Sequence, residues 1–222
     1  MKVVIRPHTP KEEFSYLSYV TNKLPFYKEN NYNLSLPKHP DLRKAFDSEN
    51  SDLFDFFAKE EYKAEFFTQG VAHLESKRDL IEKCLERLQK YKELWEFKTF
   101  EEYNICLTKY GPGGSYGSKI GKVTMLTRRN GSFIREAAED TVVHEIVHIG
   151  IQGCIVKKYS LTHWEKEAVV DLFVQILFGD LLVDYKTPNR ANPLRDYIPD
   201  IKSLDNLPSA IENFITDFPR KN

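Results

Sequence analysis

VVHEIVHIG, Val142 to Gly150, is the stretch whose reading decides the fold, because it sets two histidines one helical turn apart. On a helix, His144 and His148 share a face, and two imidazoles at that spacing close on one metal ion, most often zinc. Glu145 follows the first of them directly. That places it beside an open coordination position, where it takes a proton from a metal-bound water whose pKa zinc lowers to about 7. A motif this short also arises by chance, with both histidines merely exposed. The neighbours argue otherwise: Val142, Val143, Ile146, Val147 and Ile149 make the helix apolar on most sides, which is the pattern of a buried helix. Two histidines and a glutamate inside it need partners, since an unpaired buried charge is costly. One metal ion satisfies all three.

Catalytic zinc commonly has three protein ligands and one open position. Three places along the chain offer the third. Cys154 lies ten residues past His144, but the glycine that a tight turn needs at position 151 is Ile151, with Gly150 and Gly153 out of register. Cys106, upstream on an expected strand, is a second candidate. The third is the stretch Thr162-His-Trp-Glu-Lys-Glu-Ala-Val-Val-Asp171. Thr162 and Glu165 have capping-box spacing, which starts a helix there. The helix runs on through Val169, Val170, Leu172, Phe173, Val174, Ile176 and Leu177. Its polar exceptions, Glu167, Asp171 and Gln175, recur every four residues and form one stripe. Glu167 is then the ligand, and Asp171 accepts the free N–H of a ligating histidine, His144, fixing its tautomer. The plainer reading of the stripe is pairing with basic side chains of another element.

HEIVH followed by Glu167-Ala-Val-Val-Asp171 resembles the gluzincin group of zinc metallopeptidases, with its HExxH and downstream ExxxD. The likeness is greatest to minimal gluzincin-like domains and weaker to the ImmA/IrrE family, and it covers about Tyr103 to Gly179. It implies an α+β fold: a zincin-like core made of a small antiparallel sheet and two buried helices carrying Zn2+. It implies a peptide or protein substrate, with residues 122–127 as the sheet edge along which that substrate lies. The activity to expect is hydrolysis of a peptide bond. The alternative is a partner-specific regulatory protein of ImmA/IrrE type, without general protease activity.

Outward from the motif, the chain reads as three parts: a mainly helical N-terminal part (1–100), the core (101–185) and a C-terminal extension packed on it (186–222). A net charge of −1 over 222 residues makes no electrostatic case for nucleic acid or a membrane as partner. Three scattered cysteines do not suggest a disulfide framework, and the N-terminus has no long apolar run, so a cytoplasmic location is the default. Residues 2–6 suit a short strand. Thr9 and Pro10 start a helix that Pro25 closes, and residues 27–40 read as loop. Ala72 to Trp95 has the three-and-four spacing of one long amphipathic helix. Residues 103–110 and 122–127 suit two strands paired antiparallel, with the glycine-rich Gly111–Gly117 as the hairpin connection between them. Glu136, Glu139 and Asp140 lie near the N-terminal half of the motif helix, where negative charge is favoured. Gly150 and Gly153 end that helix. Tyr159 and His163, between the two site helices, are candidate oxyanion donors, as are Arg190 and Arg195 further on. For Tyr159 and His163, a core or surface role is the simpler reading. The first hundred residues are also a candidate restraint on such an enzyme.

Overall fold

The computed structural model describes residues 1–134, 137–183, 185 and 193–219. Glu136 and Arg190 therefore lie outside the described residues. The chain opens with strand β1 (Lys2–Pro7), helix α1 (Pro10–Asn22) and the short helix α2 (Leu24–Glu29). Short turns and α3 (Ser51–Phe56) lead to α4 (Thr68–Ser76) and α5 (Arg78–Trp95). Strands β2 (Glu102–Thr108), β3 (Gly114–Gly117) and β4 (Lys122–Leu126) follow. Then come α6 (Ala138–Ile151) and α7 (His163–Phe178), with α8 (Leu194–Tyr197), α9 (Ile201–Asp205) and α10 (Leu207–Asp217) closing the chain. No helix among the described residues is long and apolar enough to cross a membrane.

The architecture is α+β, but the sheet is mixed rather than antiparallel. Its order is β1-β2-β4-β3, with β1, β2 and β4 mutually parallel and β3 antiparallel to β4. The expected antiparallel pairing of 103–110 with 122–127 is corrected by Ile105 opposite Val123 in parallel register. The glycine-rich stretch is not a plain connection either. Its second half turns back as β3, which reverses direction once more through a turn at Gly121 (φ 60°) to enter β4. That double reversal lets β4 run parallel to β2. As a result β4 is an interior strand, and the sheet edge is β3, not residues 122–127.

Both faces of the sheet are covered, so β2 reads as a nearly unbroken buried run, Ile105, Cys106, Leu107 and Thr108. One core joins β1 through α10: Val3 and Ile5, Leu85 and Leu88 of α5, Val142 and Ile146 of α6, Phe173 of α7 and Ile211 of α10. The N-terminal part thus donates a strand and a helix to the same core that holds the motif helix. A smaller cluster of Phe14, Leu17, Leu42, Phe57 and Tyr110 secures α1 to the segment that follows it.

Three helix boundaries differ from the sequence reading. The helix expected over 72–95 is two, α4 and α5, broken at Lys77 without any glycine or proline. Pro25 does not close a helix but sits in the first turn of α2, where its missing N–H costs nothing. Gly150 lies inside α6. A Cβ there would stand 1.9 Å from Phe97 Cζ, so the glycine exists for the close approach of that ring. The helical path instead continues through residues 152–157 and ends at Ser160, which takes a left-handed conformation (φ 52°).

Candidate metal centre

The two apolar helices α6 and α7 pack against each other and carry the polar residues on their facing sides. α7 begins where the sequence places it: Thr162 Oγ1 accepts from Glu165 N, and Glu165 returns a carboxylate to Thr162 N. That capping box sets the helical phase of the next turn, and Glu167 falls on the face toward α6. His144 Nε2 and His148 Nε2 are 3.0 Å apart. Glu167 Oε2 lies 3.3 Å from the first and 3.2 Å from the second. Ligand atoms about 2.0–2.1 Å from a tetrahedral zinc are separated by about 3.3 Å from each other. The triangle His144, His148 and Glu167 therefore fits one face of such a site. Cys154 points elsewhere, its Sγ against the Gly150 carbonyl, and Cys106 is buried on β2. Neither belongs to the candidate ligand group found among the described residues.

The electrostatics also suit a cation. Burial opposes ionisation of Glu167, but hydrogen bonds with His144 and His148 outweigh it and hold the carboxyl well below the usual range. Burial lowers His144 as well, yet hydrogen bonds with Asp171 and Glu167 prevail and raise it to about 10. Burial brings His148 down to about 3, which keeps it a neutral imidazole. The remaining oxygen of Glu167, Oε1, is 2.9 Å from Lys166 Nζ, leaving Oε2 to the histidines.

Glu145 is 8% exposed and lines the same cleft as His144 and Glu167. Burial pushes its pKa up to about 7, against the opposing influence of His144. A carboxyl group with that value both takes and returns a proton near neutral pH. It faces the edge strand closely: a Cβ on Gly114 would stand 2.6 Å from Glu145 Oε1. The glycine permits this approach of backbone to carboxylate. The next inward residue of β3, Tyr116, stacks on His148 with ring centroids 4.9 Å apart and planes within 8°, and its hydroxyl donates to Gln152.

Asp171 lies where the sequence reading puts it, with one addition. Its Oδ1 is 3.4 Å from His144 Nδ1, but Tyr185 Oη stands closer, 2.8 Å from Nδ1, and donates to Asp171 Oδ1 at 2.6 Å. With Nε2 turned to the ligand triangle, Nδ1–H donates to the tyrosine, and the tyrosine passes the polarisation to the carboxylate. Tyr185→Phe removes the nearer acceptor and leaves only the long contact to Asp171. The expected outcome is a loss of about 10- to 100-fold in zinc affinity. Competition with a chromophoric chelator measures it, and affinity equal to that of the unaltered protein would show that Asp171 alone suffices.

Two of the candidate oxyanion donors bond to other side chains. Tyr159 hydroxyl donates to Glu212 on α10, so this side chain is turned toward the C-terminal helix. His163 sits against the Glu167 carboxylate, Nδ1 3.8 Å from Oε1 and Nε2 3.1 Å from Tyr32 Oη. Neither lines the cleft over the site, whereas Arg195, bonded to Gln175, does. That cleft has a volume of about 720 Å³. Its walls are Gly113 and Gly114 on the sheet side and Trp164, Ala168 and Leu172 on α7. Sequence reasoning missed Tyr32, Tyr116 and Tyr185. Only Lys166, adjacent to Glu167, carried a local signal. No protein-family model, curated protein or solved structure matches the chain.

Proposed function

We propose that this protein is a zinc-dependent peptidase that hydrolyses a peptide bond with Glu145 as general base. The observation that carries the reading is the convergence of His144 Nε2, His148 Nε2 and Glu167 Oε2, within 3.3 Å of one another, beside a buried carboxylate that is not part of the triangle. A structural site would close on a fourth ligand; this one offers three and a base. Zinc, when bound there, polarises the scissile carbonyl and makes water acidic enough to be a nucleophile at neutral pH. Glu145 accepts the proton of the attacking water and delivers it to the leaving amine. Asp171 and Tyr185 hold His144 in the ligating tautomer, and Lys166 keeps Glu167 presenting a single oxygen.

The edge strand supplies a track for a peptide. Leu126 N donates to Gly113 O, so Gly113, Ser115 and Gly117 turn their main-chain groups toward β4. Gly114 and Tyr116 turn theirs to the open edge. An extended chain adding there as a further strand would pass Glu145 at Gly114, an arrangement of strand addition. On this reading the docking edge is β3, since residues 122–126 form an interior strand.

The test is metal analysis of protein purified without added zinc, with hydrolysis of an unstructured protein such as casein in parallel. About one zinc per chain is expected, together with activity that a chelator removes and zinc restores. Metal-free protein that takes up no zinc on titration would rule the reading out.

A further inference from the structure

Lys166 holds the oxygen of Glu167 that the donor triangle leaves over. Its Nζ is 2.9 Å from Oε1, while Oε2 lies 3.3 Å from His144 Nε2 and 3.2 Å from His148 Nε2. Helix geometry does not supply this contact. Successive residues of a helix point about 100° apart, so side chains at i and i+1 do not face each other. A lysine ordinarily extends its ammonium into water. Lys166 turns to its neighbour instead, and its side chain is 15% exposed. Glu167 is the only carboxylate within 4 Å of that ammonium among the described residues. On its other side the ammonium meets an aromatic ring: Nζ is 5.6 Å from the centre of Tyr116, the ring that stacks on His148. Tyr116 is itself fixed by its hydrogen bond to Gln152. The cation is therefore seated between one ligand and the ring that packs on another.

An ammonium beside a metal site opposes the metal. Like charges repel, and a charge-assisted hydrogen bond draws electron density from the ligand. Metal affinity alone gives no reason for a cation here. What Lys166 provides is restraint of Oε1. A carboxylate binds a metal through one oxygen or through both. With Oε1 free, Glu167 can turn both oxygens to the metal and fill the position that water and substrate need. With Oε1 held, three donors are fixed and the fourth position stays open. We propose that Lys166 is a positioning residue that keeps the metal four-coordinate with one exchangeable position, and lowers metal affinity in doing so. This inference rests on the metal-site reading above and states how that site is kept open. Its signature is a pair of opposite signs: removing Lys166 strengthens metal binding and weakens turnover. A lysine that served only the helix would, when removed, weaken both or leave both alone.

The experiment uses the full chain with cobalt(II) as the probe, because its visible absorption reports coordination geometry: strong with four ligands, weak with five or six. Lys166→Met keeps the length and helix propensity of the side chain without its charge, and Lys166→Arg keeps the charge and the N–H donors. Thermal unfolding checks that each variant is folded. Lys166→Ala, also a strong helix former, carries the same expectations as Lys166→Met and replaces it should that variant not fold. In Lys166→Met the cobalt absorption is expected to fall about threefold as a fifth donor joins. Zinc affinity, measured by competition with a chromophoric chelator, is expected to rise about tenfold once the like charge is gone. Turnover of casein by the zinc form is expected to fall about 10- to 100-fold. Lys166→Arg is expected to bring back the four-coordinate spectrum. A cobalt spectrum unchanged in Lys166→Met, or zinc bound no more tightly, overturns the role of Lys166 and leaves the metal site standing. Metal bound as expected with no casein cut sinks the peptidase reading alone, since the spectrum and the affinity need no substrate. If the unaltered protein takes up neither metal, the metal reading fails, and this inference with it.

Discussion

Glu145→Gln is expected to lower turnover by about 10²- to 10⁴-fold while the protein keeps its full complement of zinc. The magnitude is that of removing a positioned general base, about 3–5 kcal/mol of barrier. Zinc is retained because Glu145 Oε atoms are not in the triangle of donor atoms, which His144, His148 and Glu167 complete without it. The fold is retained because the amide matches the carboxylate in shape and fits the same close contact with Gly114. A neutral side chain at this 8% exposed position also avoids the cost of burying charge, so thermal stability holds or rises. The informative quantity is kcat measured with metal content determined on the same sample, since KM should move little when only the proton acceptor is lost. Turnover equal to the unaltered protein, with one zinc bound, would sink the mechanism and not the metal site.

The parts of this site that could be read from sequence are those set by local geometry. His144, Glu145 and His148 share a helix, and their mutual placement follows from 3.6 residues per turn. Glu167 and Asp171 are likewise one turn apart, and the Thr162–Glu165 box marks where their helix starts. The sheet was less legible because its order depends on a reversal inside Gly111–Gly117. A four-residue strand of Gly, Ser, Tyr and Gly has the composition of a turn, and only its pairing with β4 reveals it as the edge. The break between α4 and α5 has no breaker residue, so the amphipathic spacing on either side reads straight through it. Tyr32 and Tyr185 come from loops more than a hundred residues apart, and no periodicity links either to the ligand helices. The Tyr159 reading rested on proximity in sequence, and the turn through residues 152–157 rotates that side chain toward Glu212 instead.

The second large effect concerns the ligand drawn from α7. Glu167→Ala is expected to weaken zinc binding at least about 100-fold, since even partners that only orient a ligand cost 10- to 100-fold when removed. The consequence is measurable in the absence of any substrate. A ligand that binds only the folded state at 100 times its Kd stabilises by about 2.7 kcal/mol; at its Kd the gain is about 0.4 kcal/mol. At one fixed zinc concentration the variant therefore loses about 2.3 kcal/mol of metal-linked stability. For a chain of this size that is about 5–9 °C of the zinc-dependent rise in Tm. Alanine also leaves Lys166 without its 2.9 Å carboxylate partner, which lowers the metal-free Tm and makes the zinc-induced difference the quantity to compare. Glu165→Ala is the control. It removes the capping partner two residues away, costs about 1 kcal/mol of helix stability, and leaves the donor triangle whole. A zinc-induced rise that survives Glu167→Ala but is lost in Cys154→Ala would transfer the third ligand to the cysteine. A rise lost in Glu167→Ala and kept in Glu165→Ala ties the metal to α7 through one side chain, by ligation and not through the integrity of the helix.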